Sequence, residues 1–340
     1  MWELLLPETR LFLSENKLTS EKRKTQYTVI GAEREGTILF LHTGLTNCVA
    51  RYLIEANKIP SLVNSMIAAT EIRVGHNRFD FLLSRAEEKR YLEVKSCTLY
   101  GNRIAMFPDA ITTRGKKHLL ALAALSKEKI KPIVLFVVHT PHVDWFMPDY
   151  HSDIEFSRTL LEVQKDIEIR AISVSWNRNF SIGKEVRELK IPWNFLNTEV
   201  ADRGAYLLLL HIARRRRIQI GKLGTILFER GHYVYVGSAM VNLGKRLARH
   251  TRRRKRMHWH IDYLRQNANS VITIPIRTSK RIECDLANEL NSQLGIGIQH
   301  FGSSDCACNS HLYHSKDNPF DRRDFHDLLH RFRMQQPLQQ

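Results

Sequence analysis

The chain has 340 residues, of which 43% are hydrophobic and 26% charged, and its formal net charge is +17. This composition is typical of a soluble globular protein of about two domains, and no apolar run approaches the ~20 residues that a membrane span needs. The five cysteines are few for this length, and no basic segment precedes an apolar one at the start, so we expect reduced thiols and a cytoplasmic location.

The positive charge is concentrated in the second part of the chain. Residues 1–200 contain 28 Lys and Arg against 24 Asp and Glu, whereas residues 201–340 contain 24 against 11. Two basic runs stand out, RRRR at 214–217 and RRRKR at 252–256. Such runs are typical of solvated loops or of surfaces that neutralise phosphates, and two in one basic region favour nucleic-acid binding. The predicted contacts are Arg252, Arg253, Arg254, Lys255 and Arg256.

The first part of the chain predicts layers of strands and helices. A strand at 37–42 and a helix at 48–58 are followed by strands at 71–75, 78–83, 91–96 and 103–107. A helix then begins near Thr112 or Thr113, with Leu119, Leu120, Leu122, Ala123 and Leu125 on its apolar face. The apolar run at 132–139 predicts a central strand buried on both faces, and a helix at 154–165 and a strand at 168–174 follow.

A domain boundary is predicted in the more polar residues 177–203. Beyond it, the strands AYLLLLHI, TILFE, HYVYVG and VITIPIR alternate with helices at 243–250, 260–266 and 281–293. Residues 321–340 predict a short amphipathic helix and a tail.

The strand YLEVKS carries two charges on one face, because Glu93 and Lys95 are two residues apart. In the preceding strand RFDFLL, alternation places Phe79 and Phe81 on the face opposite to Asp80. A hairpin brings Asp80 towards Glu93, and two carboxylates that close are unfavourable without a cation. Carboxylate oxygens suit Mg²⁺ or Mn²⁺. The alternative is a simple Glu–Lys pair on the open face of a sheet.

An Asp, a turn and then Glu-x-Lys on the next strand form the PD-(D/E)XK nuclease pattern. In this chemistry Asp80 and Glu93 hold the metal, and Lys95 stabilises the attacking hydroxide or the developing charge on phosphorus.

The segments RFDFLL, YLEVKSCTL and AMFPDAITTRGKKHLLAL together resemble the sugar fermentation stimulation protein A (SfsA) family, over about Trp2 to Trp193. The resemblance implies an α/β (α+β) fold with a PD-(D/E)XK-like mixed sheet, flanked by helices, at 61–193. Family members begin with an OB-fold, whereas residues 1–60 resemble only its last strands and a linker helix. We therefore expect an incomplete OB-fold remnant there.

Arg114, Lys117 and His118 belong to the same family block and lie at helical spacing on the first turns of the predicted helix. They are candidates for gripping a phosphate near a helix N-terminus. The alternative is an ordinary capped helix start, with Asp109 or Thr112 as the cap.

The basic second part carries another set of motifs. G-A-Y and Y-V-G place Tyr206 and Tyr235 on adjacent strands, L-x-x-R-L-x-x-H follows, and Glu283 begins a later helix. This order resembles the GIY-YIG nuclease core over residues 203–320. HWHIDYL and FGSSDCACNSHL resemble a GIY-YIG-like subfamily that also occurs fused to endonuclease III-type glycosylases. Alternatively, the two tyrosines are simply half-buried aromatic residues of strands, a position that strands favour.

The GIY-YIG resemblance implies a role for each polar residue. Glu283 holds one Mg²⁺ and Arg246 stabilises the phosphate in the transition state. The water is oriented or deprotonated by a tyrosine with a histidine, the candidates being Tyr206, Tyr235, His250 and His260. Asn309 is a candidate for the Asn near the end of other GIY-YIG domains.

Cys306 and Cys308 with His311, and with Cys284 as a further candidate, could ligate a structural Zn²⁺. A packed turn with reduced thiols is the alternative.

Together these features predict a metal-dependent nuclease with two nuclease-like domains, acting on DNA in preference to RNA and not on a membrane. A non-catalytic DNA-binding regulator of sugar metabolism genes is the main alternative, but a protein that only binds phosphate gains nothing from carboxylates in a basic groove. A third possibility is that one domain binds and the other cuts.

Overall fold

The computed structural model describes residues 2–16, 25–126, 132–295 and 297–337, which form two compact units. The first unit takes the described residues up to Asp149, those from Glu155 to Leu196 and those from Gln336 onwards. The second takes Tyr150–Ile154 and 197–335. Within the described ranges, no helix combines the length and the apolar character that crossing a bilayer requires.

Strands outnumber helices in the part of the chain up to residue 199. In chain order the elements are β1 (Arg10–Glu15), β2 (Tyr27–Arg34), β3 (Thr37–Phe40), α1 (Thr46–Glu55), β4 (Met66–Val74), β5 (Asn77–Arg85), β6 (Glu88–Cys97), β7 (Leu99–Gly101), β8 (Ile104–Phe107), α2 (Thr113–Leu125), β9 (Ile133–Val138), β10 (Trp145–Pro148), α3 (Ile154–Val163), β11 (Glu168–Trp176), β12 (Ile182–Glu188) and α4 (Trp193–Glu199).

The first unit is built around a mixed sheet with the strand order β12-β11-β9-β6-β5-β4. The strands β4, β5 and β6 form an antiparallel meander, and β9 runs parallel to both β6 and β11. Two smaller sheets accompany it, β1-β2-β3 and β10-β8-β7. This mixed α/β architecture agrees with the fold class expected from the sequence.

The central strand β9 is buried along its whole length, as its continuous apolar run predicted. On one face Val134 and Phe136 pack in a core with α2 and α3. On the other face Ile133 and Leu135 pack in a core with α1. The predicted apolar face of α2 is wrong at Leu120, which is 46% exposed because it lies on the side of the helix away from the sheet.

Apart from Tyr150–Ile154, the second unit starts within α4 and consists of alternating groups of strands and helices. They are β13 (Gly204–Ile212), β14 (Arg216–Gln219), β15 (Thr225–Phe228), β16 (Gly231–Ala239), α5 (Leu243–Thr251), α6 (His260–Asn267), β17 (Ser270–Arg277), α7 (Glu283–Leu294), β18 (Leu312–Ser315) and α8 (Arg323–Arg333).

The main sheet of this unit is antiparallel, with the order β17-β13-β16-β18. Helices α5 and α6 cover one face, where they share a core with Tyr206 and Tyr235. Helices α7 and α8 cover the other face against Leu207 and Leu209. Coverage on both faces explains why β13 is apolar at nearly every position. The predicted strand TILFE forms, but it pairs with β14 in a separate ribbon.

Candidate active sites

Asp80 is fixed at the end of the β5–β6 ladder. The register pairs Phe81 with Leu92, which places Asp80 beside Glu93. The backbone N–H of Val94 donates to Asp80 Oδ2 at 2.7 Å, and Asn47 Nδ2 on α1 donates to Oδ1 at 2.7 Å. The carboxylate is therefore held in one orientation by both the next strand and a helix.

The predicted alternation along β5 is wrong at Phe79. Phe81 packs in the core on the α1 side together with Val94, whereas Phe79 packs on the α2 and α3 side beside Tyr91. The regular pairing of β5 with β6 ends at Phe81, and at Asp80 a side-chain oxygen takes the backbone N–H of Val94 instead. The alternation seen from Phe81 onwards does not extend back to Phe79.

Glu93 is the centre of a buried charged network. Its Oε1 lies 2.5 Å from Lys95 Nζ and 2.5 Å from His118 Nδ1. Its side chain is 5% exposed, and its Oε2 has no hydrogen-bond partner among the described residues. One oxygen of this carboxylate is thus paired twice, while the other is buried without a hydrogen-bond partner among the described residues.

The pKa values of the two carboxyl groups of this site are shifted in opposite directions. Burial, followed by repulsion from Glu93, raises the pKa of Asp80. Burial also acts to raise the pKa of Glu93, but the contacts with His118 and Lys95 outweigh it and hold this pKa below its usual value. A cation bound between Asp80 and Glu93 would offset the repulsion between the two carboxylates.

The start of α2 supplies the residues that surround Glu93. Thr112 Oγ1 accepts from the backbone N–H of Gly115 at 3.0 Å, so the predicted Thr112 cap is confirmed. Arg114 Nε donates to His118 Nε2 at 3.4 Å, which leaves Nδ1–H of His118 to donate to Glu93. Lys117 is exposed. Of the three predicted phosphate contacts, His118 thus lies against Glu93, with Arg114 behind it.

The second unit has a cavity of about 270 Å³ in which most of its predicted site residues meet. Tyr206, Tyr235, Arg246, His260 and Glu283 all line it. The sequence did not single out the other lining residues, which are Gly237, Ser238, His258, Trp259, Gly302, Ser304 and Asp305. Most of them lie in motifs that carried the resemblance, HWHIDYL and FGSSDCACNSHL. Asn309 is exposed and is absent from this lining.

Glu283 begins α7, and each of its carboxylate oxygens has a polar neighbour. Ser238 Oγ donates to Oε2, and His311 Nδ1 lies 3.2 Å from Oε1. Burial acts to raise the pKa of Glu283, but the contacts with His311 and Ser238 outweigh it and the pKa is lowered. This carboxylate is ionised and oriented at the cavity wall.

His250 does not line the cavity, although the sequence predicted a catalytic role for it. Its side chain is fully buried, and its Nε2 lies 2.9 Å from the hydroxyl of Tyr206. Burial, with the nearby charge of Lys255, lowers the pKa of His250 to about 3, and burial raises the pKa of Tyr206 to about 12. His250 can therefore act on a substrate only through Tyr206.

A buried carboxylate, Asp262, organises the residues behind Arg246. Arg249 donates to it twice, at 2.9 and 2.8 Å, and Lys255 Nζ lies 2.9 Å away. Arg246 and Arg249 both lie over the ring of Trp259, 4.2 and 4.4 Å from its centroid. Lys255 is only 6% exposed, so it does not share the exposed surface of its neighbours Arg252, Arg253, Arg254 and Arg256.

The predicted cysteine and histidine ligands come together. Cys284, Cys306, Cys308 and His311 each offer one ligand atom, and these atoms lie within 4.8 Å of one another. The set could hold a metal ion. Magnesium and manganese prefer oxygen ligands, so this cluster is not a site for them.

Two family models match the chain, one in its first part and one in its second part. Residues 44–180 match the sugar fermentation stimulation protein RE domain, and residues 205–334 match a domain of unknown function, DUF123. The sugar fermentation stimulation protein homologue of Clostridium kluyveri is 34% identical over 191 residues, which cover 56% of this chain and 81% of that protein. The chain belongs to the SfsA family. The SfsA homologue of Methanosphaera stadtmanae is 40% identical over 162 residues, which cover 47% of this chain and 67% of that protein.

A solved structure supports the same assignment. The structure of Pyrococcus furiosus SfsA in complex with Ca²⁺ is similar with a TM-score of 0.51 and 27% identity, over 56% of this chain and 80% of that one. The SfsA match contains Asp80, Glu93, Lys95 and the α2 residues. The cavity of the second unit lies in the DUF123 match.

Proposed function

We propose that the chain is a metal-dependent nuclease that hydrolyses phosphodiester bonds, with DNA as the preferred substrate, and that its first site is of the PD-(D/E)XK type. The observation that carries this proposal is Glu93 Oε2, a buried carboxylate oxygen with no partner among the described residues. It belongs to a residue that the register places beside a second carboxylate, Asp80, whose pKa is raised. One carboxylate oxygen from each of these two residues would form the beginning of a hard cation site.

Asp80 and Glu93 would hold Mg²⁺ or Mn²⁺, which would lower the pKa of a bound water. That the Pyrococcus furiosus relative is described in complex with Ca²⁺ supports an oxygen-liganded cation in this family. The protein's own residues provide the remaining functions. Asn47 and Val94 orient Asp80, His118 orients Glu93, and the ammonium of Lys95 stabilises negative charge that develops on the phosphate.

The second unit is proposed as a GIY-YIG-type site, and its cavity supports this independently of the first. Glu283 would hold one cation, and Arg246 stabilises the transition state. The Tyr206 hydroxyl, which lies 2.9 Å from His250 Nε2, would accept a hydrogen bond from the attacking water and orient it. The low pKa of His250 keeps its imidazole neutral, so its Nε2 accepts the hydrogen bond from this hydroxyl.

Cleavage of supercoiled plasmid, single-stranded DNA and RNA, with and without Mg²⁺ or Mn²⁺, tests the proposal. The variants are Glu93→Gln, Glu283→Gln and the double substitution, with Glu87→Gln, an exposed carboxylate in the β5–β6 turn, as the matched control. We expect metal-dependent cutting that the control retains and the double variant loses. Loss in one single variant would assign the cutting to that unit.

Failure of every form to cut, with salt-sensitive DNA binding retained, would overturn the nuclease proposal. The result would favour a DNA-binding regulator, in which the exposed arginines at 252–254 and 256 contact phosphates.

A further inference from the structure

We propose that Cys284, Cys306, Cys308 and His311 form a zinc site, and that His311 uses it to hold Glu283 in position. The zinc site stands on its own geometry. The positioning role rests on the proposed function of Glu283.

The ligand types fit zinc. Three thiolates and one imidazole are a set found in closed, tetrahedral structural zinc sites. Bonds of about 2.3 Å to sulfur and 2.0 Å to nitrogen give a sulfur–nitrogen separation of roughly 3.6 Å in a tetrahedron. Cys306 Sγ and His311 Nε2 lie 3.4 Å apart, and all four ligand atoms fall within 4.8 Å. Small side-chain adjustments would close the set around an ion.

The ligands come from two parts of the fold. Cys284 lies in the first turn of α7, whereas the other three lie in the segment between α7 and β18. The described part of that segment, 297–311, contains no helix or strand and is held by a few backbone hydrogen bonds, such as that from His311 N–H to Phe301. A metal ion would tie this segment to the start of α7.

The same segment forms one wall of the cavity. Gly302, Ser304 and Asp305 line it, and the Gly302 N–H donates to His260 Nδ1 at 3.2 Å. Fixing Cys306 and Cys308 therefore also fixes the residues that face a substrate.

His311 connects the cluster to Glu283. Its Nε2 faces Cys306, while its Nδ1 lies 3.2 Å from Glu283 Oε1, and the side chain is 1% exposed. A histidine that binds a metal through one nitrogen and a carboxylate through the other is a recurring arrangement, which fixes the ring and orients the carboxylate. His311 is in this sense a positioning residue, and Glu283 is the group that faces the cavity.

The first experiment measures zinc. The full chain is purified under reducing conditions without chelator, and its zinc content is determined together with the absorption spectrum after replacement by Co²⁺. We expect about one zinc per chain and thiolate-to-cobalt charge-transfer bands. Cys308→Ser should lose both, whereas Cys48→Ser, which removes an exposed thiol of the first unit, should retain both. A wild-type chain without zinc, or with these thiols joined in a disulfide, would overturn the zinc site.

The second experiment isolates the positioning role by replacing His311 with Cys. His311→Cys keeps four metal ligands but removes the imidazole beside Glu283. In a Glu93→Gln background, where only the second site can bind Mn²⁺, we expect zinc to remain while Mn²⁺ affinity falls about 10- to 100-fold. Free Mn²⁺ is followed by electron paramagnetic resonance, and circular dichroism checks the fold.

Unchanged Mn²⁺ affinity in His311→Cys would refute the positioning role. If the Glu93→Gln parent binds no Mn²⁺ at all, both the cation role of Glu283 and its positioning by His311 fail. The zinc content of the wild type decides the zinc site in either case.

Discussion

The hydroxyl of Tyr206 lies 2.9 Å from Nε2 of His250, and both side chains are buried. The tyrosine reaches the cavity and the histidine does not, so the histidine influences the cavity only through the hydroxyl. Because the low pKa of His250 keeps the imidazole neutral, its Nε2 accepts a hydrogen bond from Tyr206 and fixes the direction of the hydroxyl at the cavity wall.

Removing one member of this pair should destabilise the second unit. His250→Leu leaves the Tyr206 hydroxyl without its acceptor, which we expect to lower the free energy of unfolding by about 1–3 kcal/mol. Hydrogen exchange of the β13 amides measures the change. Adding Tyr206→Phe should recover part of the loss, because both polar groups are then absent. Strictly additive losses in the two single variants and the double variant would contradict the coupling.

Among the carboxylates of the second unit, Asp262 should be the one whose replacement lowers the free energy of unfolding most. It is fully buried and receives Arg249, Lys255 and two backbone N–H groups. Asp262→Asn leaves two cations without their counterion, so we expect a loss of about 3 kcal/mol in the free energy of unfolding. Denaturant unfolding measures it, with the exposed Asp317→Asn as the control. A loss no greater than that of the control would show that the cluster contributes little.

The sequence correctly predicted which site residues meet where those residues lie on neighbouring strands. Asp80 and Glu93 were expected to meet because a short hairpin leaves few registers, and the cavity residues Tyr206 and Tyr235 follow from adjacent strands in the same way. Short edge strands such as β10 and β18 were not predicted, because four residues are too few to show a period.

The sequence was less informative where helix packing decides the partner. The sequence predicts a phosphate contact at His118, but the packing of α2 on the sheet places this residue against Glu93. It also predicts that Lys255 is one exposed charge in a basic run, but the buried Asp262 on the next helix binds it. In neither case does a local pattern indicate the partner, because helix packing brings the two groups together.

Acid should destabilise the first unit partly through His139. This side chain is 3% exposed, and burial lowers its pKa to about 3, against about 6.5 in an unfolded chain. The folded state therefore holds His139 neutral, and the unfolded state gains a proton as the pH falls below about 6.5. We expect this residue alone to remove about 1.4 kcal/mol per pH unit from the free energy of unfolding between pH ~6 and ~4.

Hydrogen exchange of the β9 amides across this pH range, corrected for intrinsic rates, measures the dependence. His139→Leu should reduce the slope by about one proton, whereas His76→Leu, at an exposed turn, should leave it unchanged. Equal slopes in the wild type and His139→Leu would mean that other groups cause the acid sensitivity.

Divalent cations should stabilise the first unit before any substrate is present. The strand register places Asp80 beside Glu93, and repulsion from Glu93 contributes to the raised pKa of Asp80. A ligand that binds only the folded state raises its stability with concentration. At a hundredfold excess of Mn²⁺ over its dissociation constant we expect the first unit to gain about 2.7 kcal/mol, seen as slower hydrogen exchange of its β9 amides. Glu93→Gln should abolish the gain, since it removes the charge and replaces the open Oε2 by an amide, while Glu87→Gln should keep it. Equal gains in the two variants would place the bound cation elsewhere and remove the main support for a metal at Glu93.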